Sequence, residues 1–493
     1  MVDNPANRLI FAPLTFPSGL TIKNRILRSS ISGRFDNYDG SGTDARVNWE
    51  EKFARGGVGA VISSFVPVHT RGRILPNYAM INHDGTIPFW EKVGERVHNH
   101  GCKYILQLSH SGRQQDQGGV ENVPFRNQSS TSRTEPFHGF LCKAMTRDDI
   151  DYVVRCFGDA AGRAEAAGLD GVETHSANGY LINQFLSSGI NDRTDKYGGS
   201  VENRARFLIE IVRAIRKSTR PGFHLQCKIS AVEYNNVIPW PVAGGLFHWP
   251  RAGNTLEDSV KICRMLQEEG VDAIHVSSGS LFPHPRNPAG DFPMDQATSW
   301  YDGLLSGGVH TFRNYLLFRY RVLRPIFRWI WFRKQGRKIE GLTAADAAVI
   351  RSEVRVPVMV TGGFQTASVI ARTIADGQAD AVTIARPLIA NNGLVNLFAA
   401  GLDAAPKPCT YCNKCLLNDL ENPLGCYELC RYDGDYVRMM EEVMSVFYPN
   451  HFGTTPPPHA GLVQANGSPI PVLADRRGAC DCAKFTNPLP GSR

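Results

Sequence analysis

The feature that most constrains the fold is a unit that recurs eight times between residues 24 and 390. Each unit begins with a short run rich in β-branched residues. A polar or glycine-rich junction tends to follow, and then a longer stretch with helical periodicity. Several of the short runs are apolar on both faces, as expected for strands of a parallel sheet that is covered by helices. The eight predicted strands span residues 26–30, 58–66, 104–109, 171–175, 225–231, 273–277, 358–361 and 381–385.

Eight β/α units that close on themselves make a TIM barrel, which is the fold that this pattern predicts. Amphipathic helices are predicted over residues 146–167, 202–218, 256–269 and 367–376. An open doubly wound sheet is the alternative, but it would place a glycine fingerprint after its first strand, where residues 24–33 contain none. We therefore expect an α/β protein with a (β/α)8 TIM barrel over residues 1–400 and a Cys-rich, irregular C-terminal extension over 401–493.

Composition excludes several classes of function. Of the 493 residues, 42% are hydrophobic and 20% are charged, and the net charge of +7 is too small to indicate a nucleic-acid partner. No stretch approaches ~18 uninterrupted apolar residues, and the N-terminus lacks the basic and apolar regions of a secretory signal. The sequence therefore predicts a cytoplasmic protein without a membrane span.

The polar residues that end each predicted strand should meet at one face of the barrel, because parallel strands point their carboxyl ends the same way. Strands seven and eight run into the sequences VTGGF (360–364) and ARPLI (385–389). Backbone N–H groups at Gly362 and Gly363, a helix N-terminus and the guanidinium of Arg386 would together bind a phosphate. Glycines at a strand end are often only turn residues, but Arg386 at the neighbouring strand end favours the phosphate site.

A second constellation follows strand four, where His175, Asn178 and Tyr180 share one turn. Such a turn can aim an imidazole and a carboxamide at one oxygen atom and leave a phenol above it as a proton donor. A single histidine near a strand end is more often a structural group. Three such side chains in one turn at the active face favour a catalytic site.

Four segments match the motifs of a known family, and they occur in family order. They are QLSHSGRQ (107–114), HSANGYLINQFLSSGINDRTDKYGGSVENRARF (175–207), TGGF (361–364) and IARPLIAN (384–391). Over residues 7–400 the chain closely resembles the Old Yellow Enzyme group of FMN-dependent ene-reductases, including the barrel domain of dienoyl-CoA-reductase-like enzymes. The segment that starts at His175 is a specific signature, much longer than a motif that chance would supply.

The resemblance implies FMN at the mouth of the barrel and NAD(P)H as co-substrate. It implies a flavin site formed by Ser29, Ser30, Ile31, Ser32, Phe65, Gln107 and Lys228, with Gly362, Gly363, Ala385 and Arg386 at the phosphate. His175 and Asn178 would bind the carbonyl oxygen of an enone or enal substrate, and Tyr180 would supply a proton. The implied mechanism is ping-pong hydride transfer from NAD(P)H to an activated alkene.

The chain departs from the common family pattern at several of these positions. Lys228 stands where an arginine is usual, which keeps the charge but loses the planar fork. Ala385 replaces a frequent glycine beside the phosphate, and Phe65 occupies a position often held by a small residue. Arg34 lies where some relatives place a substrate-contacting aromatic, so we expect it to bind an anionic group on the substrate.

A cysteine cluster lies beyond the predicted barrel. CTYCNKC resembles the cluster loop in the iron–sulfur branch of the family, and the ligands there would be Cys409, Cys412, Cys415 and Cys426. A bound [4Fe-4S] cluster, a zinc ion and reduced structural cysteines are the alternatives. The last spacing is shorter than that branch leads us to expect, and no GxGxxG segment for a second redox domain follows in this sequence. Reduced structural cysteines are therefore favoured.

An insertion over residues 281–345 interrupts the regular units. Within it, residues 310–338 contain nine Lys or Arg, no acidic residue and several Phe and Trp. One interpretation is peripheral docking on an anionic membrane surface. The favoured one is a helix that packs on its own barrel, or on a second copy in a homo-oligomer, through Phe312, Phe318, Phe327 and Trp331. Residues 235–254 are predicted as a loop over the site and 450–493 as an irregular tail.

Three functions remain open from the sequence. The leading one is an NAD(P)H-dependent FMN ene-reductase that acts on α,β-unsaturated carbonyl compounds. The second is a flavin/iron–sulfur dehydrogenase of a small molecule, with electrons leaving through the cluster. The third is a membrane-associated flavin-binding scaffold without catalysis, which gives no reason for His175, Asn178 and Tyr180 to occur together.

Overall fold

A computed structural model describes residues 5–115, 120–135, 139–234, 253–280, 286–299, 315–316, 319–335 and 339–447. Its centre is a ring of eight strands: β1 Ile26–Arg28, β2 Ala60–Ile62, β3 Lys103–Ser109, β4 Gly171–Ser176, β5 His224–Ser230, β6 Ala273–Ser277, β7 Val358–Thr361 and β8 Ala381–Ile384. Each strand pairs in parallel with the next, and β8 pairs with β1. The predicted (β/α)8 barrel is confirmed, and the open sheet is excluded.

Helices surround the ring: α1 Asp44–Arg55, α2 Ile87–His98, α3 Arg147–Ala166, α4 Val201–Ser218, α5 Leu256–Glu268, α6 Ala344–Glu353, α7 Ala367–Ala375 and α8 Leu394–Ala399. Local sequence decides where several of them begin. Thr146 caps α3 and Thr255 caps α5, each in a capping box with an aspartate three residues later. The four helices predicted from periodicity agree with the structure to within one or two residues at each end.

Shorter elements close the ends of the barrel. The hairpin Leu14–Thr15 and Thr21–Ile22 covers one end, because its apolar residues cluster with inward-facing residues of the strands. The remaining strands are Val66–Pro67, Asn127–Ser129 and Cys142–Ala144. The remaining helices of more than four residues are Pro5–Ile10, Leu181–Leu186, Met294–Ser299, Arg324–Gln335, Arg386–Ala390, Lys414–Asn418 and Tyr436–Met444. Within the described ranges, no helix combines the length and apolar character needed to cross a bilayer.

The chain after residue 400 returns to the barrel. Asn48 on α1 donates a hydrogen bond from Nδ2 to the carbonyl of Val446 at 2.8 Å, and the ring of Phe447 lies 6.0 Å from that of Phe35. These contacts tie the described part of the extension to the barrel near the start of α1. The division into a barrel domain and an extension stays a prediction, and residues 235–252 and 448–493 lie outside the described residues.

The barrel interior contains a buried carboxylate. Glu173 on β4 accepts hydrogen bonds from Gln107 Nε2 at 2.7 Å and from Gln226 Nε2, and its Oε2 lies 2.8 Å from His275 Nδ1. His275 Nε2 lies 2.8 Å from Thr383 Oγ1. Burial raises the pKa of Glu173, but the interactions with His275, Lys228 and Gln107 outweigh it and lower that pKa to about 2. The carboxylate is therefore ionised and links four neighbouring strands from within.

Replacing Glu173 with alanine should lower the free energy of unfolding by about 3–5 kcal/mol, because two amides and an imidazole lose a buried charged partner. Urea unfolding followed by circular dichroism measures the change. Glu257→Ala on α5 is the control, since its carboxylate is 79% exposed, and it should leave the unfolding midpoint in place. Equal midpoints for the two variants would show that the internal network does not stabilise the barrel.

Candidate active site

A cavity of about 410 Å³ opens where the barrel strands end, which is within the usual size range of ligand sites. Its wall contains all eleven residues that sequence analysis assigned to the flavin and its phosphate: Ser29, Ser30, Ile31, Ser32, Phe65, Gln107, Lys228, Gly362, Gly363, Ala385 and Arg386. His175, Asn178 and Tyr180 line the same cavity. The fold therefore brings together residues that are spread from position 29 to position 386.

Arg386 lines the cavity and is 9% exposed. Its Nη1 donates to Asn413 Oδ1, and its guanidinium lies 5.4 Å over the ring of Tyr411. The Tyr411 hydroxyl donates to the carbonyl of Gly363, whose φ of +70° favours glycine. The loop between Cys409 and Cys415 thus holds both the arginine and the glycine turn. Sequence analysis missed Tyr411 and Asn413, because no spacing in the chain connects this loop to β7 and β8.

Gln107 and Lys228 form the polar middle of the cavity. Gln107 Oε1 accepts from Ser30 Oγ at 2.7 Å, while its Nε2 donates to Glu173. A primary amide has two N–H groups and two lone pairs, so one of each remains for a ligand. Burial lowers the pKa of the Lys228 ammonium, and the nearby Glu173 carboxylate partly opposes this. The middle of the cavity therefore offers a donor, an acceptor and a cationic group to a bound ring.

His175 and Tyr180 lie side by side, with ring centroids 4.6 Å apart. Phe65 packs against both, at 6.0 Å from His175 and 5.1 Å from Tyr180. Burial lowers the pKa of His175 well below its usual value, and the charge of Lys228 adds to this. Burial also raises the pKa of the Tyr180 phenol. At neutral pH the imidazole is therefore uncharged and the phenol keeps its proton.

The Asn178 amide is hydrogen-bonded within the protein, whereas the sequence analysis expected it to bind a substrate oxygen. Its φ of 59° is left-handed, and its amide nitrogen donates to Ser277 Oγ at 3.3 Å and to the Ser278 carbonyl at 3.0 Å. His175 Nδ1, by contrast, is buried with no hydrogen-bond partner among the described residues. Joint donation by both side chains to one substrate oxygen stays a prediction, and it requires the Asn178 amide to release one of its bonds.

Arg34 is absent from the cavity wall as far as the described residues define it. Its guanidinium donates to the carbonyl of Leu420 and to Asn77 Oδ1, so it fixes the segment that follows the cysteine loop. The neighbouring Asp419 does line the cavity, and its Oδ1 is buried with no hydrogen-bond partner in the described structure. Burial raises the pKa of Asp419 well above its usual value, and the nearby Arg34 opposes this. No motif in the sequence indicated this group.

The upper wall of the cavity is apolar. The insertion contributes Phe292 and Trp331, and the segment after the cysteine loop contributes Leu416, Leu417 and Leu420. The Trp331 indole N–H donates to the carbonyl of Gly290 at 2.7 Å, which fixes the ring within the insertion. Segments outside the regular β/α units therefore shape the apolar part of the cavity wall.

The four predicted cysteine ligands border one small cavity of about 20 Å³ beside Arg386. Cys409, Cys412, Cys415 and Cys426 are all free thiols. Burial raises the pKa of the Cys409 thiol, and it raises that of Cys412 to about 12. Across the described ranges, no group of three or more Cys, His, Asp or Glu has the arrangement of a metal site. The cysteines are gathered, but their geometry is not that of a metal centre.

Comparison with known proteins agrees with this geometry. The family model described as NADH:flavin oxidoreductase / NADH oxidase matches residues 9–236. An NADPH dehydrogenase of Halalkalibacterium halodurans is 34% identical over 294 residues, which cover 59% of this chain and 80% of that enzyme. The chain belongs to the NADH:flavin oxidoreductase / NADH oxidase family. The Old Yellow Enzyme-like family predicted from the motifs is confirmed.

Other relatives are longer than this chain. It is 30% identical over 395 residues to an NADH oxidase of Thermoanaerobacter brockii and 27% identical over 412 residues to a cinnamate reductase of Clostridium sporogenes. The matches cover 80% and 82% of this chain but 51% and 54% of those proteins, so it spans about half their length. A solved 2-naphthoyl-CoA reductase complex shares the fold with a TM-score of 0.68 at 21% identity, covering 87% of this chain and 58% of that one.

Arg386→Gln should weaken FMN binding by about tenfold to a hundredfold, because a hydrogen bond to a charged group contributes about 1.5–3 kcal/mol. Riboflavin, which lacks the phosphate, should bind wild type and variant equally. Quenching of flavin fluorescence during titration of apoprotein measures both affinities. Arg213→Gln on α4 removes a guanidinium that is 66% exposed and should change neither affinity. Equal losses for FMN and riboflavin would remove Arg386 from the phosphate site.

Proposed function

We propose that this protein is an FMN-dependent oxidoreductase that uses NAD(P)H to reduce the activated C=C bond of an α,β-unsaturated carbonyl compound. One observation carries the proposal: a single cavity joins the cationic Arg386 region to the neutral imidazole of His175 and the protonated phenol of Tyr180. Family membership supports the flavin. The names of two matched proteins, a cinnamate reductase and a 2-naphthoyl-CoA reductase, support reduction as the direction of the reaction.

The residues of the cavity fit FMN. Arg386 and the Gly362–Gly363 turn offer a guanidinium and backbone N–H groups to a phosphate. Gln107 and Lys228 offer hydrogen-bonding capacity and positive charge to a polar ring, and serines 29, 30 and 32 offer hydroxyls along its edge. When bound, FMN would supply hydride transfer, taking hydride from NAD(P)H and passing it to the alkene.

His175 would bind the substrate carbonyl oxygen. Its buried Nδ1 has no hydrogen-bond partner among the described residues, and its lowered pKa keeps the ring neutral. A neutral imidazole donates one N–H without leaving a buried positive charge in the ground state. Negative charge grows on the carbonyl oxygen as the alkene is reduced, so this hydrogen bond stabilises the transition state more than the bound substrate.

Tyr180 would protonate the substrate carbon next to the carbonyl. Its raised pKa keeps the phenol protonated until that carbon becomes basic enough to take the proton. Contacts with His175 and Phe65 fix the ring on two sides, so the hydroxyl has one approach to the substrate. The arrangement gives the two side chains different tasks: the imidazole holds an oxygen and the phenol delivers a proton.

The apolar upper wall favours substrates with a large hydrophobic group beside the alkene. Phe292, Trp331 and the three leucines would cover such a group. Asp419 and Tyr78 also line the cavity, and burial raises the pKa of each. The Tyr78 phenol therefore keeps its proton at neutral pH and offers an O–H donor. Arg34 bonds to Leu420 and Asn77, so Arg34 itself adds no support for an anionic group on the substrate.

Tyr180→Phe should slow the alkene half-reaction by about 10²- to 10⁴-fold, because the variant lacks the general acid. Reduction of the enzyme by NADPH should change little, since that step needs no proton from Tyr180. Anaerobic stopped-flow absorbance measures the two half-reactions separately, with 2-cyclohexenone as a simple enone. If the alkene half-reaction keeps its wild-type rate, Tyr180 is not the proton donor.

Tyr152→Phe is the matched control, because this phenol is 46% exposed and lies outside the cavity wall. It should leave both half-reactions unchanged.

The wild-type alkene rate should also be flat from about pH 6 to about pH 9, since the pKa of His175 lies below that window and the pKa of Tyr180 lies above it. A rate that falls as His175 protonates near about pH 6.5 would contradict the assignment of a neutral imidazole.

A flavin/iron–sulfur dehydrogenase is the second candidate, and one observation favours it. Four free thiols border the same small cavity, directly beside Arg386. The lack of metal-site geometry in the described residues favours the first candidate. The choice between the two functions therefore depends on whether the cysteine loop binds iron.

Protein purified without oxygen should contain fewer than about one iron atom per chain and show flavin absorbance alone, because the four thiols are not arranged as the ligands of a metal site. Iron and acid-labile sulfide assays measure this, and Cys409→Ser with Cys412→Ser should leave the visible spectrum unchanged. About four irons and four sulfides per chain, lost in the double variant, would establish the second candidate.

A further inference from the structure

The helix Arg324–Gln335 has an inward face that packs on this chain. The rings of Phe327 and Trp331 each lie 5.1 Å from the ring of Phe292, and Trp331 is only 7% exposed. Two arginines on the same side form ion pairs, Arg324 with Asp295 at 2.6 Å and Arg328 with Asp291 at 3.3 Å. The predicted packing of Phe327 and Trp331 is therefore observed, while Phe312 and Phe318 lie outside the described residues.

A second apolar row faces solvent. Val322 is 78% exposed, Ile326 57% and Trp329 60%. Ile326 and Trp329 are three residues apart and lie on one side of the helix, and Val322 lies in the 3₁₀ turn Arg321–Leu323 that leads directly into it. Tyr320, the residue before that turn, is 60% exposed. Single exposed apolar side chains are common, but a row of large ones marks an interaction surface.

Positive charge accompanies this row. Arg319, Arg321 and Arg333 are exposed, and the Arg333 guanidinium lies 5.1 Å over the ring of Trp329. Residues 303–339 contain no Asp or Glu, so this segment supplies no carboxylate to neutralise these arginines. The surface formed by Val322, Ile326, Trp329 and the arginines at 319, 321 and 333, here termed the outward face, is therefore both apolar and cationic.

We propose that the outward face docks the protein on an anionic lipid surface. The apolar row would enter the boundary between headgroups and acyl chains, and an indole is well suited to that depth. The guanidiniums would meet lipid phosphates, with which the charge of this face is complementary. A soluble polyanion would engage the arginines but would leave Val322, Ile326 and Trp329 in water. Because Trp331 on the opposite side lines the cavity, docking brings the wall of the substrate site close to the lipid.

Vesicle sedimentation with the full chain tests the proposal. Wild-type protein should bind vesicles of phosphatidylcholine mixed with phosphatidylglycerol, bind weakly to phosphatidylcholine alone, and dissociate at high salt. Ile326→Ser/Trp329→Ser should lower the lipid partition coefficient by about tenfold or more, because it removes two inserting apolar side chains. Val120→Ser/Val123→Ser is the control: those side chains are 88% and 81% exposed on another segment, and the variant should bind like wild type.

A second variant separates the charge from the apolar row. Arg319→Gln/Arg321→Gln/Arg333→Gln should abolish the preference for anionic vesicles while leaving the thermal unfolding midpoint unchanged. Size-exclusion chromatography with light scattering tests whether the outward face binds a second copy of the chain instead of lipid. No binding of wild type to anionic vesicles would overturn the proposal. So would a wild-type dimer that Ile326→Ser/Trp329→Ser converts to a monomer, since the outward face would then bind a second copy of the chain.

Discussion

The ionised carboxylate of Glu173 is the interaction on which the interior of the barrel depends. It accepts hydrogen bonds from Gln107 on β3 and Gln226 on β5 and is paired with His275 on β6, which in turn contacts Thr383 on β8. A buried charge is costly unless each of its neighbours is arranged to meet it. The strands that surround Glu173 are therefore held in one register, and that register sets the floor of the cavity above it.

The network extends into the site through a single amide. Gln107 lines the cavity, donates to Glu173 and accepts from Ser30. The buried carboxylate of Glu173 therefore fixes the orientation of the Gln107 side chain. Arg386 is positioned from the other side, by Asn413 and the ring of Tyr411. The Arg386 side of the cavity is thus held both by the barrel and by the cysteine loop. This gives the loop a structural task beside Arg386 whether or not its thiols bind a metal.

How far sequence reasoning succeeds depends on how local the signal is. The strands were predictable because a strand buried on both faces must be apolar throughout, and the helices because their apolar residues recur with helical periodicity. His175 and Tyr180 were found because one turn carries both. Asn413 was missed because its partner Arg386 is distant in the chain, and Asp419 because only the fold brings the extension to the cavity; no local pattern encodes either. Arg34 was expected at the substrate, yet its partner is a backbone carbonyl of the extension.

The sequence by itself determined the barrel, the family and fourteen of the residues that line the cavity, because hydrophobic periodicity and long motifs are properties of neighbouring positions. Only the tertiary structure decided the protonation state of His175, the hydrogen bonds of Asn178 and the two faces of the helix Arg324–Gln335. Each of these depends on burial and on contacts between segments distant in the chain. Such contacts form only in the folded protein, so local sequence patterns do not encode them.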